Sequence, residues 1–96
     1  MRAGNARTMR GELNRNLDAG RPVVAGVDYR RGRSSGFSAA DHFITITGRN
    51  ADGSYTAVDP AGGHEITLRS DGNGMLRGGR NNRYRVSEMV FLNRAA

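Results

Sequence analysis

The sequence predicts an α+β domain, one N-terminal helix packed on an antiparallel β-sheet of about four to five strands. Three observations predict it. Ala6, Met9, Leu13 and Leu17 fall at i, i+3, i+7 and i+11, a single apolar stripe at helical spacing. From Pro22 onward, apolar residues alternate with polar ones in short runs, the period of half-buried strands. Glycine is abundant, 14 residues in 96, which suits turns and loops rather than long helices.

The helix is expected over residues 5–19. Asn5 is a suitable N-cap, Gly20 a suitable terminator at C′, and Pro22 prevents continuation. Gly11 weakens its middle by about 1 kcal/mol relative to alanine. Such a helix is expected to cover one face of the sheet.

Pro22 to Tyr29 is the first strand. Val23, Ala25 and Val27 alternate with Val24, Gly26 and Asp28, so both faces are small or apolar and the strand is expected to be central. Arg30 to Ala40 is a connection rich in Arg, Gly and Ser, with Phe37 its one bulky residue. It reads equally as a substrate-facing rim or as an ordinary loop.

Asp41 to Arg49 and Gly53 to Pro60 form a hairpin around Asn50-Ala51-Asp52-Gly53. Side chains two apart share a face, which groups His42 with Ile44 and Ile46, and Asp59 with Ala57 and Tyr55. If Asn50 pairs with Gly53 across a two-residue turn, Asp59 sits opposite Ile44 and diagonal to His42. A diagonal of roughly 7–8 Å is within reach of a histidine–carboxylate hydrogen bond. A three-residue loop would shift the register by one and separate the two groups onto opposite faces.

His64 to Arg69 reads as a third antiparallel strand with Ile66 and Leu68 inward. His64, beside a turn, is assigned a structural or solvated role. Asp71 to Gly74 is a turn whose acidic residues are too sparse for a calcium loop. Gly78 to Arg83 is read as a polar loop and Tyr84 to Leu92 as the last strand, followed by a frayed tail.

A histidine oriented by a carboxylate supplies the base and the orienter of a nucleophilic triad. The succession Pro22 to Tyr29, Asp41-His42-Phe43-Ile44, Gly48-Arg49 and Asp59-Pro60 resembles the second half of bacterial papain-superfamily cysteine peptidase domains. The closest similarity is to the branch that processes double-glycine leader peptides. It spans roughly residues 8–93. The resemblance implies a papain-like C-terminal half, with His42 as catalytic base, Asp59 as the residue holding its tautomer, and a peptide or amide substrate. The family's nucleophilic cysteine and the glutamine before it lie in the first half of the domain, and this chain has neither residue type. Residues 1–96 are therefore expected to form one domain, the base-bearing half of a cysteine hydrolase. Its thiolate would come from a preceding segment or a partner chain. The alternative is a non-catalytic binding or regulatory module, such as a component of a bacterial toxin or an interaction domain. Asp41 is expected either beside the site or bracing the preceding loop.

All 15 basic residues are arginine and the net charge is +6. Guanidinium groups favour planar acidic partners, which makes an acidic protein partner a candidate. The arginines are scattered and few aromatics interleave, so nucleic acid is not the expected partner. No run approaches the roughly 18 apolar residues of a membrane span, and the first residues lack the apolar core of a signal peptide. No cofactor is expected. A zinc site from His42, Asp59 and His64 is conceivable chemistry, but nothing in their spacing singles it out, and no metal is expected.

Overall fold

In this computed structural model the described residues are 6–28, 42–70, 75–79 and 84–91. The chain begins with α1 (Ala6–Asp18), which buries Met9 and Leu13 completely. Its end is a Schellman turn: Gly20 N–H bonds to Leu17 C=O and Arg21 N–H to Asn16 C=O, with Gly20 at φ 82°. The Asn16 side chain fastens the turn, donating to Glu12 C=O and accepting from Arg21 Nε.

Six strands follow: β1 (Val23–Asp28), β2 (His42–Arg49), β3 (Tyr55–Val58), β4 (Glu65–Ser70), β5 (Leu76–Gly78) and β6 (Tyr84–Val90). Each pairs antiparallel with the next, and β6 returns to pair with β1. The sheet is a closed barrel. This overturns the expected α+β arrangement of an open four- to five-stranded sheet with a helix laid on it, and with it the papain-like half-domain as a description of the architecture.

Two features close the sheet. One is β5, which lies partly in the stretch read as loop. Gly78 passes so close to β4 that a Cβ there would stand 2.1 Å from Thr67 C=O, an approach only glycine permits. The other is a bulge at Ser87 of β6. Register runs Gly26 to Glu88 on one side of it and Val27 to Val86 on the other. The inward parity therefore changes from Tyr84 and Val86 to Met89, and all three stay buried.

The core is the barrel interior: Val23, Ala25 and Val27 from β1, Ile44 and Ile46 from β2, and their counterparts around the ring. β1, expected at the centre of an open sheet, is paired on both sides only as every strand of the closed barrel is. The helix does not lie on a sheet face. It packs against β2 and β1, and its Asn14, Asp18 and Arg10 hydrogen-bond Tyr55 at the start of β3, Arg49 at the end of β2 and Ser70 at the end of β4 respectively. Those strand ends share one end of an antiparallel barrel, so α1 stoppers that end. The other end gathers the close of β1, the start of β2, the β3–β4 turn and the start of β6.

Asn5, Tyr29, the 30–40 connection with Phe37, Asp41, the 71–74 turn, residues 80–83 and the tail lie outside the described residues.

Candidate active site

The end of the barrel opposite α1 holds the two residues expected to act together. His42 opens β2 and Asp59 follows the last residue of β3. His42 Nε2–H donates to Asp59 Oδ1 over 2.9 Å. Asp59 is 3 % exposed and the His42 side chain 25 %, so the carboxylate is interior and the ring reaches the surface.

The route to this pairing differs from the expected one. Asn50 N–H bonds to Ser54 C=O and Gly53 N–H to Asn50 C=O, so the loop has three residues, with Gly53 at φ 90°. That register, Arg49 to Tyr55 and Gly48 to Thr56, would put Asp59 on the wrong face. Thr47 then bulges out, and the ladder resumes as Ile46 to Ala57 and Thr45 to Val58. One extra residue in the loop is cancelled by one extra residue in the strand. The bulge is held by Thr47 Oγ1 donating to Thr56 C=O, and the loop by Asp52, which accepts from both Ser54 N–H and Ser54 Oγ.

Asp59 accepts three kinds of donor. Ala61 N–H joins His42 on Oδ1 at 2.9 Å, and the Tyr84 hydroxyl donates to Oδ2. Burial pushes the Asp59 carboxyl up. The Tyr84 hydroxyl, the Ala61 amide and the His42 ring together outweigh it, and the group lies below the ordinary aspartate value of 3.8. The turn is also tied by its backbone, with Asp59 N–H to His64 C=O and Gly63 N–H to Asp59 C=O. Pro60 follows an aspartate that therefore both makes the turn and faces His42.

His42 thus turns Nε2, not Nδ1, to the carboxylate. This is the reverse of the serine-protease triad, in which the aspartate holds Nδ1. In either arrangement a carboxylate bonded to one ring nitrogen fixes the tautomer of the neutral imidazole.

Tyr84 was not singled out by sequence. Its signal is its parity with Val86, which places an aromatic ring with a polar tip at an inward position where a strand begins. Its ring centroid is 6.3 Å from that of His42. His64 is exposed, and its Nε2 is 3.5 Å from the Tyr84 hydroxyl. Among the described residues no three His, Cys, Asp or Glu side chains are grouped to hold a metal ion. No family model, curated protein or solved structure matches the chain.

Proposed function

We propose that this chain is the base-bearing portion of a papain-like cysteine peptidase or amidase. Its His42 would deprotonate a cysteine supplied by a preceding segment or partner chain, then return the proton to the leaving amine. Asp59 would hold the ring with its proton on Nε2 and Nδ1 toward the nucleophile. The observation that carries this reading is the 2.9 Å bond between a surface-reaching histidine and an interior carboxylate. Such a pair is well suited to a base that must meet an external thiol.

A second reading, a binding module without catalysis, is favoured by two observations. The barrel leaves no open sheet edge among the described strands, so it needs no second half to complete its core. Its outer face also carries Val24, Phe43 and Val90 on the adjacent strands β1, β2 and β6, each more than a third exposed.

The test is reconstitution with the segment encoded before Met1, or with a neighbouring reading frame that carries a Gln…Cys helix start. Hydrolysis of peptide amides is then measured with and without His42→Ala. The hydrolase reading expects turnover to fall by at least about 100-fold in His42→Ala with assembly intact. Unchanged turnover in that variant, or no thiol-dependent turnover with either segment, favours the binding module.

A further inference from the structure

The pairing of His42 with Asp59 is one link of a longer chain. The Tyr84 hydroxyl has one proton, and it is given to Asp59 Oδ2. The phenolic oxygen therefore faces His64 as an acceptor, and His64 Nε2 lies 3.5 Å from it, the outer limit of a hydrogen bond. The series converges on Asp59, from His64 through Tyr84 on one side and from His42 on the other. The residues come from four separate places, β2, the end of β3, the start of β6 and the turn before β4.

The surroundings of Tyr84 are shaped for this. Gly79, at φ 78°, lies beneath its ring, and a Cβ there would stand 2.5 Å from Tyr84 Cδ2. Only glycine at that position lets the ring lie where its hydroxyl reaches the carboxylate. A tyrosine needed merely to fill the core would not require its buried tip to meet an ion.

We propose that Tyr84 is a positioning residue for His42, acting through Asp59, and that His64 is the outer member of the same chain, donating to the phenolic oxygen. Tyr84 occupies Oδ2, which leaves Oδ1 turned to His42 and keeps the ring proton on Nε2. It also keeps the interior carboxylate ionised against its burial, so that a charge is present when His42 becomes imidazolium. Among the described residues, the titratable groups lining the chain around Asp59 are His42 from β2, Tyr84 from β6 and His64 from the turn before β4. The value of this positioning to the protein rests on His42 being the base proposed above. The geometry and its test do not.

The experiment is an NMR titration of the full chain, following Asp59 by its carboxyl carbon and His42 by its ring nitrogens. The variants are Tyr84→Phe and His64→Ala. In the wild type Asp59 is expected to titrate below the ordinary 3.8, and neutral His42 to show its proton on Nε2. Tyr84→Phe keeps the ring and removes only the hydroxyl. It is expected to raise the Asp59 titration and to let His42 populate the second tautomer. His64→Ala changes an exposed side chain, and it is expected to move Asp59 in the same direction by less. An Asp59 titration and a His42 tautomer unchanged in folded Tyr84→Phe overturn the positioning role. If Tyr84→Phe fails to fold, His64→Ala decides alone: an unmoved Asp59 overturns the chain. No cysteine-bearing partner is needed, so failure of the hydrolase reading would leave these spectra as they are.

Discussion

Removing the Asp59 carboxylate should destabilise the barrel far more than its place in a turn suggests. The side chain is 3 % exposed and accepts from Tyr84, Ala61 and His42. In Asp59→Ala the Tyr84 hydroxyl, on a residue 4 % exposed, loses its acceptor in the interior. Bonds to a charged group contribute about 1.5–3 kcal/mol each. The gain from no longer burying a charge offsets part of this. The net expectation is a loss of about 3 kcal/mol, a large part of the 5–15 kcal/mol typical of a small domain. For a chain of this size that corresponds to a melting temperature lower by roughly 12–24 °C. Asp59→Asn keeps an acceptor oxygen and the side-chain volume, and it should cost about 1–2 kcal/mol.

The same pair of variants separates charge from shape. Because the folded carboxyl titrates below the unfolded value of 3.8, its stabilisation is fully present above that value. It is lost as the pH falls through the lower, folded value. Urea denaturation from pH 7 down to pH 2 should show this acid limb in the wild type and a shallower one in Asp59→Asn. A loss within about 0.5 kcal/mol for Asp59→Ala, the range of ordinary surface substitutions, would refute the reasoning. So would an acid limb in Asp59→Asn as steep as that of the wild type.

Two further outcomes are expected. Gly79→Ala and Gly63→Ala both force alanine into the left-handed region, at φ 78° and 70°, at about 1–2 kcal/mol. Only at Gly79 does the new Cβ also meet the Tyr84 ring, whereas Gly63 has open space. Calorimetry should therefore find Gly79→Ala the less stable of the two, and equal melting temperatures would contradict the ring placement. At the hairpin loop, the Ser54 hydroxyl, the Ser54 amide and Arg69 hold the Asp52 carboxyl down at about 2. Ser54→Ala removes the first of these, and NMR titration should find Asp52 moved up toward 3.8, with no change if the loop does not depend on that contact.

What was legible in the sequence was local. Periodicity located α1, β1, the β2–β3 hairpin, β4 and β6 because each carries several alternating or helically spaced apolar residues in succession. β5 carries no such signal. Leu76-Arg77-Gly78 is three residues long, and the glycine that allows its approach to β4 is the residue that makes it read as loop. Closure was illegible for a second reason. The β6–β1 pairing joins residues about 60 apart, and nothing in either strand's own pattern names its partner. With β5 absent and that pairing unseen, the same strands make an open sheet, and a helix with an apolar stripe is then naturally laid on its face. The stripe itself does not distinguish a sheet face from a barrel end.

The site was legible to a different degree, and the hairpin shows why. Alternation put His42 with Ile44 and Asp59 with Ala57 whatever the turn, because parity within one strand is a local property. Whether the two strands then brought those faces together depended on a count of residues between them. Sequence reasoning arrived at the pairing with a two-residue turn and no bulge. The protein arrives at it with a three-residue loop and a bulge at Thr47. Both routes set Ile46 opposite Ala57, so both place Asp59 one step beyond Val58 on the face of His42. A loop of three residues with glycine in the left-handed position has its own local chemistry, Asp52 on Ser54 and Gly53 at φ 90°. That chemistry is incompatible with the required register unless the strand absorbs one residue. Threonine at 47 can do so, because its hydroxyl bonds the partner strand's carbonyl at Thr56 while its backbone leaves the ladder. The bulge is thus the feature that makes a stable loop and a usable histidine–aspartate pair compatible within one hairpin.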